Sequence, residues 1–314
     1  AGCTALIVAA FGLLNSFEPM THDQFETIYK YDAVVVPKDS GSADNLSFLT
    51  DTLDKNSNVK LSMLVSQQEC TVTHGSKVKD SDTNLVVPQN PEKFDEIVSL
   101  HTRKGKEELK LSDSGVMLSE KMCSELGIKT GDKITLNVDG KKAEVKVSGI
   151  FEQYIYNFVY MTPTAYKSLF GSDCTYNMAD VALKDTSDSA CDKFGSQVLS
   201  DDKIAAVSYI ASSLNEFRNM LNSLDMVVTV MIICAAALAF VVLYNLTNIN
   251  IAERVREIAT FKVLGFYNRE TSSFIYKENI ILTILGIIVG LFLGNLLTGF
   301  IIQTVEVDNV MFGR

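Results

Sequence analysis

The residues of this 314-residue chain that could do chemistry do not assemble into a catalytic set. His22, His74 and His101 lie too far apart to meet at i,i+3 or i,i+4, the spacing by which one helix face presents two metal ligands. There is no GxSxG elbow, no GxGxxG loop and no GxxxxGKS/T phosphate loop. Arg103-Lys104-Gly105-Lys106 has the look of a phosphate loop but lacks the upstream glycine, and Asp201-Asp202 reads as a solvated loop pair. No catalytic residue, metal ligand or cofactor site is expected, so any ATP that drives this protein is bound by a partner subunit. The patterned cluster is a different one: Glu253, Arg254, Arg256 and Glu257, followed by Lys262 and Gly265. Ile251, Val255 and Ile258 share one helical face with Ala252, Ala259 and Val263 beside it, the charges occupy the rest, and Gly265 is a helix stop. Such a helix can lie on lipid or dock in a protein groove with a charged rim. Its mixed signs favour the groove.

The elements that position this cluster are apolar. Residues 226–252 and 279–305, on either side of it, contain no Asp, Glu, Lys or Arg. At about 1.5 Å per helical residue, each run crosses a hydrocarbon core of about 30 Å. Eleven Leu, Ile, Val or Phe residues between Met226 and Leu246 contribute roughly −3 to −7 kcal/mol to insertion. Glu253, Arg254, Arg256 and Glu257 would each cost roughly 2.5–3.5 kcal/mol in the bilayer, so the span ends before them. Residues 1–17 form a third uncharged stretch, too short at about 25 Å to span alone, and read as the end of a helix that begins upstream. The chain is expected to be a fragment. Gly286, Gly290 and Gly294 recur every four residues, which lets a second helix approach closely.

Charge sets the orientation. Residues 249–278 hold five basic side chains between two membrane ends, which marks that side as cytoplasmic. Residues 18–225 then face outward. They carry 22 basic against 32 acidic side chains, the source of the chain's net −10, and nothing basic enough for nucleic acid. The expected layout is the end of a first transmembrane helix (1–17), an extracytoplasmic α+β domain (18–211), a stalk helix (212–225), a second transmembrane helix (226–248), a cytoplasmic coupling segment (249–278), a third transmembrane helix (279–304) and an outer loop (305–314). The outer domain is read as two subdomains, roughly 18–113 and 114–211. No Pro or Gly interrupts residues 211–264, so one helix can run from the outer domain through the membrane and act as a rod. A broken linker helix is the alternative.

Within the outer domain, residues 31–37, 59–65, 70–78 and 84–87 read as strands, and Pro91 opens a helix through Leu100. Residues 115–118 read as a strand, and Ser119 caps a helix over 120–126 that Gly127 stops. Residues 134–138 and 143–147 alternate around Asp139-Gly140, a favoured hairpin turn. Residues 158–161 are a strand, Thr162-Pro163 starts a helix ending at Gly171, and 178–183 and 204–210 close the domain as strands around a helix. Cys70, Cys123, Cys174 and Cys191 read as free thiols, with Cys174–Cys191 the alternative disulfide; Cys3 and Cys234 read as small apolar residues.

The run from Asn245-Leu246-Thr247 through ERVREIATFKVLGFYNRE resembles the membrane-to-cytoplasm junction of FtsX-like ABC transporter permeases of the macrolide-exporter and lipoprotein-release type. GVMLSEKMCSELGIKTGDKITL and VSGIFEQYIYNFVYMTPTAYKSLFG resemble the extracytoplasmic insert of these proteins, and residues 308–314 resemble the loop into their last helix. The resemblance implies a partial four-helix permease unit with a large α+β domain inserted between its first two helices. It implies a multi-pass protein of the bacterial cell membrane, in contact with lipid, and paired with a second permease copy or paralogous half. It further implies a cytoplasmic ABC ATPase subunit docking on Glu253, Arg254, Arg256, Glu257, Lys262 and Gly265. Three functions are open: export or extraction of an amphiphile such as a peptide antibiotic or lipoprotein by mechanotransmission, regulation of a cell-wall hydrolase by the same machinery, and a membrane-anchored receptor or adhesin.

Overall fold

The computed structural model describes residues 1–39, 42–80, 82–263, 268–305 and 310–311, and their side chains except at 17–19, 220–225, 257, 258, 261, 262, 268–276, 278, 279 and 303–305. The first apolar run folds as α1 (Gly2–His22), which passes into a π-helical stretch over Asp23–Ile28. The helix thus continues beyond residue 17, into polar sequence.

A sheet domain follows. Its elements are β1 (Ala33–Pro37), α2 (Ala43–Lys55), β2 (Val59–His74), β3 (Lys77–Lys79), β4 (Thr83–Pro88), a 3-10 turn at Pro91–Glu96, β5 (Val116–Ser119), α3 (Glu120–Leu126), β6 (Lys133–Val138), β7 (Lys141–Phe151), β8 (Asn157–Tyr160), α4 (Pro163–Phe170), β9 (Met178–Leu183), α5 (Asp188–Val198) and β10 (Ile204–Tyr209). Local chemistry explains many of these bounds. Gly127 and Gly171 take the left-handed conformation that stops α3 and α4, and the Thr162 hydroxyl accepts the Ala165 N–H at the start of α4. Asp139 and Gly140 both have positive φ, as a tight turn between right-twisted strands requires. Ser119 stands at the α3 N-cap, but its hydroxyl makes no capping bond there and donates to Asn157 Oδ1.

The expected division at residue 113 does not hold, and β2 is the reason. Its 16 residues form one strand where two were expected, about 50 Å long at 3.3 Å per residue. Its first half pairs with β9, extending the open run β10-β1-β9-β2. Its later residues pair with β4 and β6 and close a ring, β2-β4-β8-β5-β7-β6. Two cores result. One holds Ala33, Val35, Leu64, Val181 and Ile204 with Leu49 and Leu53 of α2 and Phe194 of α5. The other takes Val72, Leu85, Val116, Leu136, Val147 and Val159 from the six ring strands, with Met122 of α3 and Ala165 of α4. The ring is therefore an insertion within the open lobe, and the chain leaves and re-enters that lobe. Cys174 packs against the ring core and Cys191 against the other, and all six cysteines are free.

The helix expected over 91–100 is only a 3-10 turn. Beyond it, the Lys30 N–H donates to the Ile97 carbonyl and the Ser99 N–H to the Ile28 carbonyl. These partners draw residues 97–99 into extended pairing with the segment after α1.

Three helices complete the chain: α6 (Ile210–Glu253), α7 (Val255–Val263) and α8 (Asn268–Val305). Gly2–Ile28, Met226–Glu253 and Ile280–Ile302 are long and apolar enough to cross a membrane. The chain divides into two compact units: residues 1–18, 219–306 and 314, and residues 19–218 with 307–313.

Candidate functional site

The charged cluster that begins at Glu253 sits at a helix break. α6 runs unbroken for 44 residues to Glu253, Arg254 forms a turn, and α7 begins at Val255. Glu253 and Arg256 are exposed and Arg254 is half-buried; Glu257 and Lys262 lie in α7, their side chains outside the described set, and Gly265 lies outside the described residues. The apolar face of this segment is uncovered, with Val255 56% and Val263 87% exposed. Residues 268–278, expected as part of the connector, are the first turns of α8.

The glycine stripe of α8 meets α1. A Cβ added at Gly290 would lie 2.6 Å from Thr4 Cβ and 2.7 Å from the Ala1 carbonyl oxygen, and one at Gly294 would lie 2.6 Å from Val8 Cβ. A Cβ added at Gly286 would lie 3.5 Å from the Ala1 nitrogen. From the other side, Gly12 of α1 has Thr298 against it. In the same unit, Leu6 of α1 and Met226, Val230, Met231, Ala235 and Leu238 of α6 line an apolar cavity of about 450 Å³.

A polar cluster that the sequence reading missed lies within the sheet domain, around residues 152–155. Glu152 is 1% exposed; its carboxylate accepts from Lys106 Nζ at 2.6 Å and lies 2.9 Å from His101 Nε2. The Tyr154 hydroxyl donates to Glu152 Oε1 and, at 3.3 Å, to Asp23 Oδ2. The Tyr154 N–H donates to Gln24 Oε1 at 2.8 Å, and its carbonyl accepts the Met311 N–H at 2.7 Å. Gln153 donates to the Tyr29 hydroxyl. The phosphate-loop look of residues 103–106 thus dissolves: Arg103 pairs with Glu120 and Lys106 with Glu152. No local spacing joins residues 24, 101, 152 and 311, so a linear reading had no signal for this cluster.

Beside it lies Asp180, on the face of β9 opposite Ala179 and Val181. It is 7% exposed, and burial pushes its carboxyl up to about 7. Burial also raises the hydroxyls of Tyr29, Tyr31 and Tyr160 well above the usual tyrosine range, and the nearby Asp180 charge adds to each. Among the described residues, no group of three or more His, Cys, Asp or Glu could hold a metal ion.

Comparison with known proteins matches both parts of the chain. The MacB-like periplasmic core domain matches residues 2–191, and the FtsX-like permease C-terminal region matches residues 229–312. The chain belongs to the FtsX/MacB-type ABC permease family. The sheet domain is the extracytoplasmic part of this membrane-embedded permease, and permeases of this type work with cytoplasmic ABC ATPase partners. Among solved structures, the periplasmic region of MacB from Actinobacillus actinomycetemcomitans matches with 12% identity and a TM-score of 0.39, covering 61% of this chain and 94% of that one. The extracellular domain of the ABC-type transporter YknZ from Gram-positive bacteria matches with 13% identity and a TM-score of 0.34, covering 57% of this chain and 98% of that one. No curated protein sequence matches the chain.

Proposed function

We propose that this permease couples ATP hydrolysis on a separate cytoplasmic ATPase to movement of its extracytoplasmic domain, and thereby expels or extracts an amphiphilic substrate such as a peptide antibiotic or a lipoprotein. The observation that carries the reading is α6. One helix of 44 residues starts directly after β10 of the sheet domain and ends at the charged break around Arg254. A helix with an intact hydrogen-bond ladder moves as a rod, so displacement at one end reaches the other. Glu253, Arg254, Arg256, Glu257 and Lys262 are then the ATPase-docking contacts, with Gly265 ending the segment. The uncovered Val255 and Val263 supply an apolar anchor inside a charged rim, the composition of a docking helix. The apolar cavity lined by α1 and α6 suits the greasy part of an amphiphile. Gly286, Gly290 and Gly294 are the packing surface that holds α8 against α1.

Two measurements on the full chain, co-expressed with its ATPase and purified in nanodiscs, test the docking face. Combining Arg256→Glu with Glu253→Lys is expected to abolish co-purification and stimulated ATP hydrolysis while leaving the helical content unchanged. Unchanged complex formation and stimulation by this variant would falsify the docking assignment.

A further inference from the structure

Glu152-Gln153-Tyr154 is where two distant stretches of chain are tied to one loop. Gln24 stands two positions after the last residue of α1, and Met311 six positions after the last residue of α8. The two backbone groups of a single residue, Tyr154, hold them both: its N–H donates to the Gln24 side chain at 2.8 Å and its carbonyl accepts the Met311 N–H at 2.7 Å. Ile155 adds a β-bridge to Val310, and Lys121 Nζ, on a side chain only 7% exposed, donates to the Val310 carbonyl at 2.6 Å. The Tyr154 hydroxyl is held between Glu152 and Asp23, while Glu152 is fixed by Lys106 and His101.

Gln24, Glu152, Gln153 and Tyr154 are buried, and three buried amide atoms among and beside them remain without a partner. Gln24 Nε2, Gln153 Oε1 and Asn157 Nδ2 account for three of the four orphaned side-chain atoms among the described residues. Native interiors seldom leave such atoms unpaired. Two of them are donors and one an acceptor, so a small shift of this loop against the Gln24 segment would have new hydrogen bonds to gain. Packed polar networks of this kind have discrete arrangements and do not deform continuously.

The geometry points to Gln24, Glu152 and Tyr154 as positioning residues for coupling: they tie the segments that follow α1 and α8 to one loop of the extracytoplasmic domain, so that both segments move with it. The proposal rests on the coupling reading above and adds to it a route independent of α6. The docking residues Glu253 and Arg256 play no part in the tie.

Hydrogen exchange of the full permease–ATPase complex in nanodiscs, with and without ATP and vanadate, tests it. In the unaltered protein, the amides of Tyr154 and Met311 are expected to be protected and to change protection together when nucleotide is trapped. Gln24→Ala removes the acceptor for Tyr154. It is expected to speed exchange at both amides about tenfold or more and to erase their nucleotide response, with ATPase binding unchanged. Gln24→Glu keeps an acceptor oxygen and is expected to restore both protection and response; a merely structural defect would not return the response. Three results would overturn the tie. One is Gln24→Ala leaving Met311 protection unchanged, another is its leaving the nucleotide response intact, and the third is Gln24→Glu failing to rescue while its domain stays folded. Absence of any nucleotide-dependent exchange in the extracytoplasmic domain of the unaltered complex, with the ATPase bound, would overturn the coupling reading itself and the tie with it.

Discussion

The charged segment at the break between α6 and α7 and the polar cluster around residues 152–155 both depend on charge, but they use it in opposite environments. At the break between α6 and α7, Glu253 and Arg256 stand in solvent beside an uncovered apolar face. Around residues 152–155, Glu152 is sealed among Lys106, His101 and Tyr154. An exposed charge keeps most of its hydration, so its value lies in the partner it selects. A buried charge has lost its water and depends on each neighbour that replaces it. The first region can therefore recognise another molecule, and the second can hold its own chain in register.

The sharpest way to break this contrast is to remove one neighbour of Glu152. Lys106→Met deletes the ammonium 2.6 Å from the carboxylate and preserves much of the aliphatic stem. Loss of one partner of a fully buried pair costs about 3 kcal/mol; here Lys106 is half-exposed and Glu152 buried, and His101 Nε2 stays 2.9 Å from the carboxylate, so the loss falls below that figure. Thermal unfolding of the full chain in detergent should show a clear drop in the domain's midpoint. A midpoint equal to that of the unaltered protein would mean that Glu152 is not electrostatically dependent on Lys106.

Gly290→Leu extends the comparison to a contact that uses no charge. A Cβ at this position already meets Thr4 and the Ala1 carbonyl at under 3 Å, so the added side chain must force α1 and α8 apart. Overpacking of this kind costs about 2 kcal/mol. The expected result is a lower unfolding midpoint for the membrane unit, with ATPase co-purification retained if docking takes place at Glu253 and Arg256 as proposed. If the variant is as stable as the parent, close approach at Gly290 is not what packs these helices.

How much of the two regions could be read in advance follows from the same contrast. The charged cluster at residues 253–257 stands out because its residues are contiguous and flanked by spans whose insertion energetics bound it. Asp139-Gly140, Gly127 and Thr162-Pro163 were visible because turns and caps are chosen by neighbouring residues. The subdomain division was misread because β2 serves two cores, and nothing in residues 59–74 announces which partners each half will take. The cluster around residues 152–155 was invisible for a stronger reason. Gln24, His101, Glu152 and Met311 become neighbours only after the ring has closed and the chain has returned from the membrane, and His101 has no partner at helical spacing to single it out.

Asp180 offers a milder test, since it is a buried acid with no hydrogen bond or ion pair among the described residues. Its folded-state value, raised from 3.8 to about 7 by burial, means that the native protein holds the proton more tightly than the unfolded chain. Between about pH 4 and pH 7 the native state therefore binds more protons, and stability falls as pH rises through that window. Asp180→Asn should flatten this dependence. Above pH 7 it should stabilise the domain by on the order of 1 kcal/mol, because burying an amide offsets much of the relief. Unfolding midpoints at pH 5 and pH 8 provide the measurement. A variant whose midpoint still falls between those values to the same degree would show that another group carries the dependence.

The smallest effect is the most direct control on the comparison. Lys38 Nζ lies 2.6 Å from Asp202 Oδ1, the same separation as Lys106 from Glu152, and hydrogen bonding to Lys38 holds the Asp202 carboxyl below its usual range. Yet both members of this pair stand in solvent, where hydration competes with the contact and salt screens it. Lys38→Ala is expected to leave the unfolding midpoint unchanged within error at physiological salt, whereas Lys106→Met lowers it. Were the two substitutions to cost the same, distance and not burial would set the worth of an ion pair in this domain. The division between a recognising surface and a holding interior would then lose its physical basis.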